Sequence, residues 1–182
     1  MEYETQILNV DKENIAQKLR KLGAKETPEL LQKRWVFDIK CLGQTDAGKG
    51  EWIRLRQAGN NKPTLTYKYK MGTGISETEE IEIEVSDFED TAKILSKLNG
   101  FEGKYYQENK RLKFVLDDIE FTLDTWPKIP TLLEIEAKSE EGVKKGLSLL
   151  GLEGKDEGHI GLIMAYKKYG IDLHSFKEIR FE

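Results

Sequence analysis

The sequence predicts an α+β fold in which an antiparallel sheet carries helices on its apolar face. Two observations carry that expectation. First, six segments hold like charges two residues apart: the acidic pairs Glu2 and Glu4, Glu82 and Glu84, Glu134 and Glu136, and the basic pairs Arg54 and Arg56, Lys68 and Lys70, Arg111 and Lys113. Residues i and i+2 of a strand share a face. The residues between and beside these pairs are largely apolar (Ile53, Leu55, Ile81, Ile83, Leu112, Phe114, Leu133, Ile135), so each pair marks a strand with one charged and one oily face. Second, the acidic strands hand over to helical patterns that end Leu-Gly, Leu-Asn-Gly and Leu-Leu-Gly, over residues 2–23, 82–100 and 134–151. The spacing of this weak repeat is irregular, which excludes a solenoid.

The elements follow in order. Residues 2–10 alternate as a strand, and Asp11 caps a helix through Leu22 with Ile15, Leu19 and Leu22 on one face and Gly23 at its end. A second strand is expected at 30–39, then a Gly-rich loop over 40–50 containing Gln44, Thr45 and Asp46. Strands at 51–57 and 63–70 flank Ala58-Gly59-Asn60-Asn61-Lys62, a hairpin signal. A loop from Met71 to Ser76 precedes a strand at 78–85. Ser86-Asp87-Phe88-Glu89 has the form of a capping box, opening a helix to Leu98 that Asn99-Gly100 ends. A long strand at 104–116 turns at Asp117-Asp118 into a strand at 119–125, which leads through Pro127 and Pro130 to a strand at 131–138. Ser139 caps a helix ending at Leu150-Gly151, residues 159–169 are helical, and the remainder is a tail.

At 182 residues, with 38% hydrophobic and 34% charged residues and clear periodicity, the chain is expected to form a single domain over residues 1–182 with its own core. Its net charge of −4 gives no case for nucleic-acid binding, so any anion site must be a local concentration of bases. The single cysteine, Cys41, allows no intrachain disulfide and is expected as a reduced thiol. No apolar run approaches the roughly 20 residues that span a bilayer, and no signal-peptide pattern opens the chain. The expectation is a cytoplasmic protein without membrane attachment.

Two arrangements fit the charged faces. Either an antiparallel sheet keeps one face wet, or the sheet curls so that its charged face points inward and encloses a ligand. Separation of the pairs by sign favours the second. Carboxylates from separate strands suit a hard cation, which binds through carboxylates, waters and substrate phosphates; Glu2, Glu4, Asp124, Glu134 and Glu136 are the candidates. The alternative for each is a cross-strand ion pair. The six bases match a polyphosphate, with Arg as a planar fork and Lys as a point charge. No Gly-x-x-x-x-Gly-Lys loop is present, which excludes P-loop chemistry. His159 and His174 fit no zinc or nucleophilic pattern and are expected at the surface.

Taken in order, these segments resemble the CYTH superfamily, which contains the class IV adenylyl cyclases and thiamine triphosphatases. The residues concerned are Glu2-Tyr3-Glu4-Thr5-Gln6, Trp52-Ile53-Arg54-Leu55-Arg56, Leu65-Thr66-Tyr67-Lys68, Glu80-Ile81-Glu82-Ile83-Glu84, Lys110-Arg111, Asp124 and Leu133-Glu134-Ile135-Glu136. The resemblance implies an antiparallel β-barrel of about eight strands that forms a charged tunnel, with helices packed outside. It implies Mg²⁺ or Mn²⁺ held by Glu2, Glu4, Asp124, Glu134 and Glu136, with Glu2, Glu4 and Gln6 as catalytic positions. It assigns phosphate binding to Arg54, Arg56, Lys68 and Arg111, with Lys70, Lys113 and Arg34 as further contacts and Lys167 or Lys168 as a late one. Glu82 or Glu84 would support the bases or a second ion.

The family's first strand reads Glu-x-Glu-x-Lys, and here the lysine position is Gln6. Glutamine can donate a hydrogen bond but carries no charge. The leading expectation is metal-dependent hydrolysis of a triphosphate-containing small molecule: tripolyphosphate, thiamine triphosphate or a nucleoside triphosphate. Conversion of ATP to cyclic AMP and pyrophosphate is one alternative. A non-catalytic polyphosphate-binding module, favoured by Gln6, is the other. The oligomeric state is left open, a homodimer included.

Overall fold

A computed structural model describes residues 3–40, 50–70, 78–158 and 160–182. Glu2, Cys41, residues 41–49 of the loop expected at 40–50, the loop expected from Met71 to Ser76, and His159 lie outside the described residues, as do the side chains of Lys40, Lys70 and Thr78. The chain divides into two compact units: residues 1–30 with 109–171, and residues 31–108 with 172–182.

The first unit contains β1 (Tyr3–Ile7), α1 (Lys12–Lys21), β2 (Lys25–Glu26), residues 109–116 of the long strand β7 (Gly103–Leu116), β8 (Ile119–Thr125), β9 (Leu132–Ala137), α3 (Glu140–Leu150) and α4 (Gly161–Lys168). Its strands pair antiparallel in the order β1-β9-β8-β7, and β2 adds to β7. The first strand is shorter than its alternating sequence because Asn9 takes a φ of 55°, in the left-handed region that extended backbone does not use. The outer side of β1 is also engaged: Gln6 N–H donates to the Gly158 carbonyl at 3.1 Å and the Gln6 carbonyl accepts from Glu157 N–H at 2.8 Å.

The helices begin where their caps require. Asp11 accepts from Asn14 N–H at 3.0 Å, and Ser139 accepts from Gly142 N–H at 3.1 Å. Gly151 closes α3 with a φ of 67°. Leu19, Phe114, Phe121, Leu123, Leu133 and Ile135 are fully buried in a core shared by α1, α3 and one sheet face. Each such side chain stabilises by about 1.5–3 kcal/mol. Gly146 lets α3 lie close to the sheet, since a Cβ there would stand 2.7 Å from Ile135 Cγ2. In α4, the buried Tyr166 donates its hydroxyl to the Pro127 carbonyl at 2.8 Å.

The second unit contains β3 (Leu30–Lys40), β4 (Gly50–Ala58), β5 (Thr64–Lys70), β6 (Thr78–Glu84), α2 (Phe88–Lys97), the first residues of β7, and β10 (Glu178–Ile179). The order is β7-β3-β4-β5-β6. The cap of α2 is Asp87 rather than Ser86: its carboxylate accepts from Asp90 N–H at 2.7 Å. The shift by one residue seats Phe88, 3% exposed, against Phe37 and Leu55. The expected tail is partly ordered: Leu173–Ser175 form a 3₁₀ turn and β10 pairs parallel to β7.

The α+β class, the antiparallel strands and the helices are those expected from sequence. The hydrogen-bonded order begins at β1 and ends at β6, and no pairing joins these two among the described residues. Among the described residues the strand order does not close on itself, so "barrel" describes it only loosely. No described helix is long and apolar enough to cross a membrane.

Candidate cation-binding site

In the first unit the polar face is built by cross-strand register. Glu4 stands opposite Glu136 and Gln6 opposite Glu134. The backbone N–H and carbonyl of Gln6 point outward to residues 157 and 158, so Gln6 and Glu134 form a non-hydrogen-bonded pair. Such pairs alternate along an antiparallel ladder, which makes Glu4 and Glu136 another. Side chains approach most closely at pairs of this type. As a result, carboxylate oxygens of Glu4, Glu134 and Glu136 lie within 4.8 Å of one another. Three carboxylates that close repel unless a cation or protons intervene.

Burial pushes the Glu134 carboxyl above the ordinary glutamate range; Arg111 and the hydrogen bond from Gln6 pull it down, and Glu4 and Asp124 add to the rise. Gln6 Nε2 donates to Glu134 Oε2 at 2.8 Å. Gln6 Oε1 is buried and has no hydrogen-bond partner among the described residues.

Asp124, 2% exposed, lies outside that triad of carboxylates. Its Oδ1 accepts from Arg111 Nε at 2.9 Å and from Asn109 Nδ2 at 2.8 Å, and its Oδ2 accepts from Arg111 Nη2 at 2.5 Å. Burial alone would lower the Arg111 pKa, but Asp124 and then Glu134, 4.0 Å away, more than offset it and the net shift is upward. Lys113 forms an ion pair with Glu120, which stands opposite Glu136. Asn109 and Glu120 are participants that sequence reasoning missed. Asn109 lies two residues before Arg111, so face-sharing alone could have flagged it.

In the second unit the bases share one face of β3, β4 and β5. Arg34 stands opposite Arg56, Arg54 opposite Thr66, and Trp52 opposite Lys68. Arg34 is 9% exposed and donates from Nη2 to Gln32 Oε1 at 3.0 Å. Glu82 stands among them: it accepts from Thr66 Oγ1 at 2.6 Å, with Arg54 Nη2 at 3.8 Å and Arg56 Nη2 at 4.0 Å. The Thr66 hydrogen bond holds the Glu82 carboxyl below its usual range; burial opposes this, and Arg56, Arg54 and Lys68 reinforce it. Lys68 pairs with Glu80 at 2.7 Å. Glu84 lies at the exposed end of the face, 3.3 Å from Lys62.

The remaining candidates are placed elsewhere. Lys168 is an ion-pair partner of Glu157. His174 is half-buried rather than at the surface: it stacks on Tyr105, with Nε2 3.7 Å from Asp38. A surface hollow of about 540 Å³ in the first unit is lined by Lys12, Glu13, Arg20, Glu26, Thr27, Pro28, Glu29 and Leu112, and holds none of the charged strand residues above.

Comparison with known proteins identifies a family. Residues 1–147 match the CYTH domain. Among solved structures, the PH1012 protein of Pyrococcus horikoshii is 27% identical, with a TM-score of 0.66 over 86% of this chain and 94% of that one. A provisional adenylate cyclase from Vibrio parahaemolyticus shares the fold at 14% identity, with a TM-score of 0.69 over 91% of this chain and 97% of that one. HpAC1 from Hippeastrum, described as having a dominant triphosphatase activity, shares it at 17% identity, with a TM-score of 0.55 over 93% of this chain and 96% of that one. No curated protein matches the sequence.

Proposed function

The chain belongs to the CYTH domain family, and from that premise we propose that it binds a triphosphate-containing small molecule together with a divalent cation and hydrolyses it. The observation that carries this reading is the convergence of Glu4, Glu134 and Glu136. Glu2 precedes Glu4 by two residues on the same strand pattern and is assigned with them. The donor set is all oxygen, which fits Mg²⁺ or Mn²⁺. The orphaned Gln6 Oε1 is a further sign that this face is built for a guest.

When bound, such an ion polarises phosphate oxygens and lowers the pKa of a water molecule. The protein's residues do the rest. Glu4, Glu134 and Glu136 would hold the ion, and Glu134, whose proton affinity is raised by burial, would give up any proton on its carboxylate as it does so. Arg54, Arg56 and Lys68 would exchange their contacts with Glu82 and Glu80 for phosphate oxygens. Arg34 is oriented by Gln32 and would add a fork. Arg111 and Lys113 are the bases of the acidic unit. Arg111 is fixed by Asp124, so Asp124 acts through it, and preorganised cations of this kind stabilise charge developing on a transferring phosphoryl group. Lys70 is assigned by its place in the β5 sequence.

A binding module without turnover is the second reading, favoured by the neutral Gln6 held by Glu134. One experiment separates the two. Product release from tripolyphosphate, thiamine triphosphate and ATP is measured with Mg²⁺ and with Mn²⁺, then with excess chelator. Turnover that chelator leaves undiminished overturns the cation requirement. Tight calorimetric binding with no product from any substrate selects the binding module, and cyclic AMP from ATP selects a cyclase.

A further inference from the structure

The Gln6 carboxamide meets the acidic cluster with its nitrogen toward Glu134: Nε2 donates to Glu134 Oε2 at 2.8 Å. With Glu134 ionised, as a cation ligand is, that carboxylate can only accept, and the amide presents its nitrogen to it. Oε1 is left buried in a side chain only 7% exposed, with no hydrogen-bond partner among the described residues. The nearest hydroxyl in register does not serve it: Thr122, opposite Glu134 on β8, is 3.5 Å from Glu120 Oε1. A buried acceptor without a donor is rare in folded proteins and calls for an explanation.

We propose that Gln6 Oε1 is a further oxygen of the divalent-cation site formed by Glu4, Glu134 and Glu136, contributed to the ion's ligand shell where the family pattern has lysine. The inference rests on the cation-site reading given above. Gln6 shares a strand face with Glu4 and stands opposite Glu134, which puts its side chain on the same side of the sheet as the carboxylates. The chemistry suits the position. Hard cations take oxygen ligands, amide carbonyls included. A neutral oxygen adds a ligand without adding to the repulsion among three carboxylates. An ammonium at the same position would be a donor only, and would compete with the ion for the same carboxylates. The substitution therefore shifts the site toward holding a cation before any phosphate arrives.

The test measures Mn²⁺ binding to the metal-free protein without substrate, by calorimetry and by the spin-resonance signal of the unbound ion. Gln6→Met keeps the bulk and removes both polar atoms. Gln6→Lys keeps a donor for Glu134 and removes the oxygen. Both should bind Mn²⁺ at least about 10-fold more weakly than the parent, since removing even an outer-shell partner of a metal costs about 10- to 100-fold, with melting temperatures unchanged in chelator. Parent-like affinity in either folded variant overturns the role of Gln6. Glu134→Gln serves as the control for the site itself: if it binds as the parent does, or if the parent binds no Mn²⁺, the cation-site reading falls and this inference with it. If Gln6→Met does not fold, the unaltered protein still decides. The Gln6 side-chain amide resonance should shift on Mg²⁺ titration, and a resonance that stays fixed while Mg²⁺ binds refutes the proposal.

Discussion

Asp124 and Arg111 should be strongly coupled in stability, because Asp124 acts by holding Arg111. Asp124→Asn keeps the shape and an acceptor for Asn109 but removes the charge facing two Arg111 donors at 2.9 and 2.5 Å. Removing one partner of a buried pair destabilises by about 3–5 kcal/mol. Arg111 retains 28% side-chain exposure and has Glu134 4.0 Å away, so about 2–3 kcal/mol is expected for Asp124→Asn, below that range. Arg111→Met leaves the 2% exposed Asp124 with Asn109 alone and should reach the full range of about 3–5 kcal/mol. In the double variant neither charge is stranded, so its loss should fall short of the sum by at least about 1.5 kcal/mol, within the span measured for residues in contact. Urea unfolding followed by circular dichroism, in chelator so that no metal contributes, gives all four stabilities. Losses that add to within about 0.5 kcal/mol, as independent sites do, would refute the clamp and return Asp124 to consideration as a direct cation ligand.

Arg54→Ala and Arg56→Ala should each weaken tripolyphosphate binding by about 1.5–3 kcal/mol, the loss of a charge-assisted contact, with folding intact because the Ile53 and Leu55 face carries the packing; unchanged calorimetric affinity in both would mean that this face is only solvated. Glu82 has a folded pKa below its ordinary 4.5, so its stabilising contribution is full above that value and is lost as pH falls through the lower, folded pKa. Glu82→Gln should therefore flatten the acid limb of a stability–pH curve below 4.5, and an identical limb would show the carboxylate to be idle. Gly146→Ala should destabilise by about 1–3 kcal/mol through the contact with Ile135, more than the roughly 1 kcal/mol that helix propensity returns. Its Mn²⁺ affinity should match the parent's, and a raised melting temperature would show that α3 can shift freely.

The strands that carry paired charges were legible because side-chain alternation in a strand is a property of the chain alone. Helix caps at Asp11 and Ser139 and the left-handed Gly151 were legible for the same reason. Register was not. Nothing in Glu4, Gln6, Glu134 and Glu136 taken separately tells which faces which, and a slip of one residue would turn the whole set to the other face. The occupation of Asp124 by Arg111 and Asn109 depends on that register too. The short strands β2 and β10 escaped notice because two residues carry no period; their pairing is decided by β7, the strand they meet. Phe88 moved a cap by one position because burying an aromatic ring outweighs the choice between Ser86 and Asp87 as first acceptor.

The backbone bonds from residues 157 and 158 to Gln6, joined by the hydrogen bond from Thr5 Oγ1 to Asp156 at 3.0 Å, give β1 a flank on each side. An outermost strand ordinarily offers its free groups to any passing chain, and at Gln6 those groups are already taken. Five residues of strand are a weak anchor for charges that repel one another, yet here they are clamped between β9 and a segment some 150 residues downstream. Sequence drift in residues 152–158, which carry none of the assigned ligands, would therefore be felt as a change in the pitch and spacing of Glu4 and Gln6. Tuning of the acidic cluster is open to mutations in a stretch that looks, by composition alone, like an ordinary connection between two helices.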